Sequence, residues 1–296
     1  DPEQPPKEYV IRRMPETQGI SASRRDWSPP TGTLGMLVED AYARVLLDAH
    51  RQSEWQRRAD ETAPAASFEA ALRGPSVAII AEVKRRSPSK GSINANIDAK
   101  LRARSYVDAG AAAVSVLTEP DWFAGSAEDL SDVAAAVDVP VIRKDFIVTT
   151  LQLYEARALG AAAALLIVRA LSPGALAQLH ATGRDIGLDL LVEVRDEAEL
   201  ARALDVGARI IGVNNRNLES LTVDPETIER LIPLIPRDVV AVAESGMSTR
   251  GDIVRAASCG ADAVLIGSAV SAADDPAVAV RALVGVSAAG HDVRRG

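Results

Sequence analysis

Short apolar runs alternate with longer, Ala-rich stretches of helical periodicity from residue 77 to about residue 283. Each run has the length of a buried strand, and runs separated by helical segments are typical of parallel sheets. Successive runs begin about 20 to 35 residues apart, which leaves enough chain for a helical crossover. The predicted strands are Val77–Val83, Ala113–Leu117, Pro140–Ile142, Ala163–Val168, Asp189–Val194, Arg209–Val213, Val239–Ala243 and Asp262–Ile266.

These eight strand-helix units predict an α/β fold, a closed (β/α)8 TIM barrel in a single domain. An open, doubly wound sheet is the alternative that the same alternation permits. A glycine stands just past four predicted helices and just before the next strand, where ending the helix requires a left-handed conformation. These glycines are Gly110, Gly160, Gly207 and Gly260.

Two helices are predicted ahead of the barrel. The first is amphipathic and lies between Thr33 and Ala59, where Leu34 and Leu37 begin an apolar stripe at helical spacing. The second is short, runs from Ser67 to Arg73, and has Ser67 as its N-cap. We therefore expect an extra N-terminal helix in addition to the repeating units.

The chain ends are predicted to lie outside this architecture. Residues 1–32 hold six prolines amid mixed charge and show no periodicity, so we expect a Pro-rich extension that is partly disordered or draped over the domain. The barrel with its N-terminal helices is predicted for residues 33–286, and a C-terminal tail for residues 287–296. We expect a cytoplasmic protein, or a plastid one if an upstream transit segment was removed before Asp1.

Composition narrows the class of protein. The 296 residues are 47% hydrophobic and 25% charged, which suffices for a sizeable core. A net charge of −8 argues against a nucleic-acid partner, and no apolar run approaches the ~18 residues of a membrane span. Cys259 has no partner for an intramolecular disulfide and is interpreted as a small buried helix residue. The three histidines show no ligand spacing, so we expect no metal site.

Charged and polar residues stand at the carboxyl ends of most predicted strands. Strand alternation places Lys144 on the same face as Ile142, and Glu193 on the same face as Leu191. In barrels of this kind the active site is built at that rim, so we expect these side chains to converge on one mouth. The candidates are Glu82, Lys84, Lys144, Glu193, Asn214, Arg216, Glu244 and Ser245.

Glycines at the ends of the last two strands add a second signal. Backbone N–H groups in these loops commonly bind phosphate in such barrels, which predicts a phosphate-ester substrate. The segment that ends in Gly267 and Ser268 is weakly specific, since many phosphate-binding barrels share its outline.

Several motifs occur together in one order: AEVKRRSPSKG, SVLTEPDWFAGS, VIRKDF, LLVEV, IGVNNRNL, VAESG and VLIGS. Taken together, they resemble indole-3-glycerol-phosphate synthase, an enzyme of tryptophan biosynthesis. The resemblance runs from about Phe68 to Leu283, and the helix from Leu34 is similar to the extra N-terminal helix of that family. Arg195 departs from the pattern, because many members have histidine there.

The resemblance implies a lyase that converts 1-(2-carboxyphenylamino)-1-deoxyribulose 5-phosphate into indole-3-glycerol phosphate, CO2 and water. It implies Lys144 as general acid, Glu193 as base, and Lys84 as partner of the substrate carboxylate and second acid. Neither a metal nor an organic cofactor is needed. The partner is the small phosphate ester, without nucleic acid or membrane, and we expect a monomer or weak homo-oligomer.

Further roles follow from the same resemblance. Glu82 and Glu244 would orient the lysines, Asn214 would hold the substrate, and Arg216 and Ser245 would support the polar network. The phosphate and aryl groups would contact the remaining candidates, which are Ser87, Gly246, Gly267 and Ser268 for the phosphate and Pro88, Phe123, Phe146 and Leu218 for the ring.

Two other hypotheses of function are compatible with these residues. A Schiff-base aldolase also carries a lysine at the end of a barrel strand, where Lys144 stands. A catalytically inert barrel could serve as an assembly scaffold, although it would have no reason to keep Glu82, Lys84 and the other mouth charges.

Overall fold

The computed structural model describes residues 27–288 and residue 294. Residues 1–26 of the predicted extension lie outside the described residues. The predicted tail also lies outside them, except for residues 287, 288 and 294.

Eight parallel strands close into a barrel in which each strand pairs with its sequence neighbours and the last strand pairs with the first. The closed ring confirms the predicted barrel and excludes the open sheet. All eight predicted strands are present, with bounds that differ by at most two residues. They are β1 (Ala78–Val83), β2 (Ala113–Leu117), β3 (Val141–Lys144), β4 (Ala163–Ile167), β5 (Asp189–Val194), β6 (Ile210–Asn214), β7 (Val240–Glu244) and β8 (Ala263–Ile266).

Helices surround the strands and cover their outer faces. Nearly every strand residue is buried, as expected for a sheet with helices on one side and a packed interior on the other. The helices are α1 (Gly32–Asp48), α2 (Gln52–Glu61), α3 (Phe68–Ala71), α4 (Ala99–Asp108), α5 (Ala127–Ala134), α6 (Thr150–Ala158), α7 (Pro173–Asp185), α8 (Glu197–Asp205), α9 (Thr227–Leu231), α10 (Arg250–Cys259), α11 (Ser268–Ala272) and α12 (Pro276–Arg281).

The predicted helix ends are confirmed. Gly110, Gly160, Gly207 and Gly260 all have positive φ, between 78° and 100°. Ser67 caps α3 by accepting a hydrogen bond from Ala70 N at 3.1 Å.

The prediction of a single helix between Thr33 and Ala59 is wrong in one respect. A 3-10 turn at Ala49–Arg51 divides it into α1 and α2. The two parts pack on different surfaces: α1 buries Leu34 and Leu37 toward the barrel mouth, whereas α2 packs on α6. A straight helix cannot meet both surfaces, so the apolar stripe stops and Leu46 is left 76% exposed.

The opposite, amino end of the barrel is closed by the C-terminal region. Val77 N donates to Val286 O, and Ala288 N donates to Pro75 O. Arg294 is fully buried there and pairs with Asp262, which precedes β8, at 2.9 Å. Within the described residues, no helix is both long and apolar enough to cross a membrane.

Candidate active site

The carboxyl ends of the strands surround a cavity of about 600 Å³. Strand alternation directs the last inward side chain of each strand into this space, as the phase of the sequence predicted. The structure brings all sixteen predicted site residues together along the wall of this cavity: Glu82, Lys84, Ser87, Pro88, Phe123, Lys144, Phe146, Glu193, Asn214, Arg216, Leu218, Glu244, Ser245, Gly246, Gly267 and Ser268.

Lys144 lies between two buried carboxylates. Its Nζ is 3.4 Å from Glu193 Oε2 and 3.5 Å from Glu244 Oε2. Burial alone would lower the pKa of Lys144, but the charges of Glu244, Glu193 and Glu82 outweigh it and raise that pKa well above the ordinary lysine value. Lys144 is therefore an ammonium ion at neutral pH and can serve as a proton donor.

Glu244 is the least satisfied of the mouth carboxylates. Its Oε1 is buried and has no hydrogen-bond partner. Burial raises the pKa of Glu244 to about 8, and the neighbouring charges of Glu193 and Glu82 add to this against the opposing effect of Lys144. Gly212 makes room for the group, because a Cβ there would overlap Glu244 Oε1. A site that keeps such a carboxyl without a partner has it available for a ligand.

Glu82 and Lys84 form a second pair on β1 and the loop after it. Lys84 Nζ donates to Glu82 Oε1 at 2.6 Å, and Ser115 Oγ donates to Glu82 Oε2 at 3.4 Å. A Cβ on Gly267 would overlap Glu82 Oε1 and lie 2.7 Å from Lys84 Nζ. Only glycine at position 267 thus lets β8 end directly beside this ion pair.

Asn214 connects Glu193 to the loop after β6. Its Nδ2 donates to Glu193 Oε1 at 2.9 Å, and its Oδ1 accepts from Arg216 N at 2.8 Å. Arg216 Nη1 donates to Leu221 O at 2.8 Å. These bonds fix the orientation of Glu193 from one side while Lys144 contacts it from the other.

The loops after β7 and β8 form the glycine-rich part of the rim. Ser245 has φ +63° and Gly246 has φ +75°, so the chain turns sharply directly after Glu244. A left-handed serine is strained, and such strain concentrates at functional sites. Asn215 Nδ2 donates to Ser245 O at 3.1 Å and supports this turn. Gly267 immediately precedes α11, whose first residue is Ser268.

An apolar wall faces the charged groups. The rings of Phe123 and Phe146 are 6.1 Å apart with an interplanar angle of 43°. Pro88 and Leu218 complete this wall. The buried carboxylate of Glu119 holds the Phe123 loop by accepting from Phe123 N at 3.0 Å and from Trp122 N at 2.7 Å.

Sequence reasoning missed several residues of the cavity. Lys90 and Asp145 line it. They belong to the motifs AEVKRRSPSKG and VIRKDF, so these two motifs were the signal that could have identified them. Leu37 of α1 also lines it, and only the apolar stripe of that helix hinted at its burial. Arg44 of α1 holds Glu119 and Asp145 at 2.9 and 3.1 Å, and no local pattern signals these contacts.

Among the described residues, no group of three or more histidine, cysteine or carboxylate side chains is placed to hold a metal ion. Cys259 is buried in α10, as predicted.

The chain is similar to known proteins in sequence and in structure. A model of the family described as indole-3-glycerol phosphate synthase matches residues 36–283. Indole-3-glycerol phosphate synthase 1 of Streptomyces coelicolor is 52% identical over 247 residues, which cover 83% of this chain and 90% of that protein. Indole-3-glycerol phosphate synthase of Streptomyces griseus is 50% identical over 251 residues, covering 85% and 91%.

Solved structures show the same architecture at low identity. 3-Hexulose-6-phosphate synthase from Salmonella typhimurium superposes with a TM-score of 0.57 at 14% identity, covering 73% of this chain and 98% of that chain. Thiamine phosphate pyrophosphorylase from Pyrococcus furiosus gives 0.54 at 15%, covering 73% and 96%. These likenesses show the fold alone.

Proposed function

This chain belongs to the indole-3-glycerol phosphate synthase family, and we propose that residues at the barrel mouth supply the proton donor, the base and the anion-binding groups of its reaction. The activity itself is that of indole-3-glycerol phosphate synthase, a carboxy-lyase of tryptophan biosynthesis. The proposed substrate is 1-(2-carboxyphenylamino)-1-deoxyribulose 5-phosphate, which undergoes ring closure, decarboxylation and dehydration.

Lys144 is the proposed general acid of ring closure. As the aryl carbon attacks the ribulose carbonyl, negative charge develops on the carbonyl oxygen and must be protonated. The observation that carries this role is the position of Lys144 between Glu193 and Glu244, which keeps the amine protonated at neutral pH.

Glu193 is the proposed base and Lys84 the partner of the substrate carboxylate. Glu193 is buried, and its orientation is supported by Asn214. Lys84 is partly exposed to the cavity, where its ammonium group can meet a carboxylate and later act as a second acid in dehydration. Glu82 orients Lys84 through the 2.6 Å contact.

The remaining roles concern binding. Glu244 orients Lys144 and offers its unpaired Oε1 to a ribulose hydroxyl. Asn214 holds the substrate, and Arg216 and Ser245 support the polar network around it.

The phosphate is proposed to lie on backbone N–H groups at Gly246, Gly267 and Ser268, with help from Ser87. The aryl ring lies in the apolar slot of Pro88, Phe123, Phe146 and Leu218. The two ends of the substrate are thus separated across the mouth, with the reacting carbons between the lysines.

A Schiff-base aldolase is less well supported by the geometry. Its lysine must attack as a neutral amine, whereas the carboxylates around Lys144 hold it as an ammonium ion. Borohydride should therefore trap no substrate on Lys144.

The deciding experiment mixes purified protein with the carboxyphenylamino-deoxyribulose phosphate and follows indole absorbance and fluorescence. We expect product to appear without added metal or organic cofactor. Absence of an indole signal from folded protein would refute the proposed reaction.

We further propose that the protein acts in the cytoplasm as a monomer or weak homo-oligomer. A phosphorylated substrate is too polar to cross a membrane, which favours the compartment in which it is made. Cell fractionation and sedimentation velocity test the two statements separately.

A further inference from the structure

A second, smaller cavity lies directly behind Glu193 and Asn214. Its volume is about 90 Å³, which is room for several water molecules. It shares Ile167, Glu193, Asn214, Arg216 and Leu218 with the large cavity, so Glu193 stands in the wall between the two. Its other side is formed by half-buried residues near the surface, which are Arg169, Arg195, Asp196, Asn217 and Glu219.

Glu199 lines this second cavity and is buried, with 8% of its surface exposed. It lies in the first turn of α8, where its Oε2 accepts a hydrogen bond from Arg195 N at 2.8 Å. Its role in the helix needs only this acceptor, which an amide oxygen would supply as well. The burial of an ionisable group next to the base thus has no explanation in the capping of α8.

The surroundings of Glu199 give it an unusual proton affinity. Burial raises its pKa to about 7, and the charges of Asp196 and Glu193 add to this shift. The bond from Arg195 N and the charge of Arg169 oppose it. Arg202 also faces the carboxyl from within α8, and Glu219 lies across the cavity. A group with such a pKa exchanges protons readily near neutral pH.

The proposed reaction needs this kind of exchange because its base gains a proton in each turnover and must lose it again. The carbonyl oxygen takes up one proton on ring closure and a second as it leaves as water. The carboxylate leaves as CO2 and its bonding electrons remain with the ring, while one proton is lost from the carbon that becomes part of the indole double bond. Two protons enter from the lysines and one leaves to Glu193, so each turnover takes one net proton from solvent, and Glu193 must release its proton before the next turnover.

We propose that the second cavity conducts protons between solvent and Glu193, with Glu199 as the group that exchanges them. This inference rests on the proposed function, since it assigns a route to the protons of that reaction. Glu199 acts on the substrate only through Glu193, so it is not itself a catalytic residue. The large cavity is occupied by substrate during turnover, which leaves the rear of Glu193 as the side open to water.

The test replaces Glu199 by Gln, which keeps the acceptor for Arg195 N and removes the exchangeable proton. We expect Glu199→Gln to lower kcat about 10-fold at pH 8, with a smaller loss at pH 6 and an unchanged KM. Imidazole buffer, a small proton carrier, should restore part of the lost kcat in the variant and leave the wild type unaffected. Glu197→Gln is the matched control, because Glu197 lies on the same turn but is exposed and pairs with Arg230.

Unaltered kcat and pH profile in a folded Glu199→Gln variant would overturn the proposal. A pH-independent loss without rescue by imidazole would also overturn it, since it would indicate a purely structural role. If the wild type itself forms no indole, the proposed function fails, which is a separate result.

The proposed proton route can also be tested on the wild type, without the Glu199→Gln variant. At pH 8, kcat is measured in mixtures of H2O and D2O. Transfer through a chain of exchangeable groups predicts a curved dependence on the deuterium fraction. A linear dependence would contradict the proposed route.

Discussion

At the scale of single residues, the mouth places two lysines in different electrostatic settings. Lys144 is the last residue of β3 and contacts the two buried carboxylates of Glu193 and Glu244, whereas Lys84 follows the end of β1 and contacts Glu82. The first setting keeps Lys144 in the protonated form that a general acid must have before it donates its proton. A partner for a substrate carboxylate benefits from the second, where the ligand can displace solvent.

Substitution of the two lysines should separate these roles. Lys144→Met is expected to lower kcat by about 10²- to 10⁴-fold with nearly unchanged substrate affinity, because the lost interaction forms in the transition state. Lys84→Met should weaken affinity as well as kcat, because its ion pair also exists in the ground state. Steady-state kinetics with a binding titration measures both. A Lys144→Met variant that loses mainly affinity would make Lys144 a binding residue.

The buried carboxyl of Glu244 is expected to lower the free energy of unfolding as pH rises. Burial raises its pKa from 4.5 to about 8, so between these values the folded protein binds more protons than the unfolded chain. The free energy of unfolding therefore falls as pH rises through this range. Glu244→Gln removes the effect, and we expect its Tm to exceed that of the wild type at pH 8 by about 2–4 °C per kcal/mol gained.

Calorimetric melts across this pH range provide the check. The advantage of the variant should shrink toward the acid end, while its kcat stays reduced at every pH. A Tm difference that does not change with pH would mean that Glu244 is ionised throughout and would contradict the assignment.

At the scale of elements, α1 acts as a clamp on two loops of the mouth. Arg44 pairs with Glu119 after β2 and with Asp145 after β3, and Asp40 accepts from Trp122 Nε1 at 2.9 Å. The loop after β2 carries Phe123, and the loop after β3 directly follows Lys144. The helix thus positions part of the proposed aryl slot and the end of the strand that bears the proposed acid.

Arg44→Met should release this clamp without unfolding the barrel. Glu119 keeps its bonds from the backbone of Trp122 and Phe123, and Asp145 keeps Arg143. We expect kcat/KM to fall by about 10- to 100-fold through misplacement of the loops. Arg57→Met, which removes an exposed pair with Glu61 in α2, is the control and should match the wild type. Equal kcat/KM in both variants would show that α1 only covers the core.

At the scale of the whole molecule, the two ends of the barrel serve different purposes. Unpaired and partly paired charges gather at the carboxyl end, whereas the amino end holds the closed pair of Arg294 with Asp262. Arg294 also donates to Val239 O at 2.7 Å, and Asp262 accepts from Ala241 N at 2.7 Å. At the amino end the charged groups bond to each other and to the backbone, whereas at the carboxyl end they line the cavity.

Arg294→Met tests this separation. It removes the guanidinium that contacts both carboxylate oxygens of Asp262, and we expect a loss of about 3–5 kcal/mol in the free energy of unfolding. kcat and KM below the melting range should not change, because the site lies at the other end. Arg209→Met, at the same end but half exposed, should cost only about 0–1 kcal/mol. Denaturant unfolding with parallel kinetics measures both, and a changed KM in Arg294→Met would show that the ends are coupled.

Most of the fold was predictable from the sequence because its signals are local. Side chains alternate with a period of two along a strand, so Glu193 had to share a face with Leu191 wherever the strand lay. Positive φ at Gly110 and the cap at Ser67 likewise depend on a few neighbouring residues. Strand alternation therefore predicted that the charged strand-end residues share one mouth, and the family resemblance supplied the aryl and Ser87 candidates, so that all sixteen line one cavity.

What the tertiary structure alone decided depends on contacts between distant parts of the chain. The break between α1 and α2, the room that Gly212 leaves for Glu244, and the clamp of Arg44 all arise once the barrel has closed. Glu199 has the sequence context of an ordinary helix start, and only the closed barrel adds Arg169, Glu219 and the second cavity around it. Local periodicity determines which way a side chain points, but the register of the closed barrel determines what it meets there.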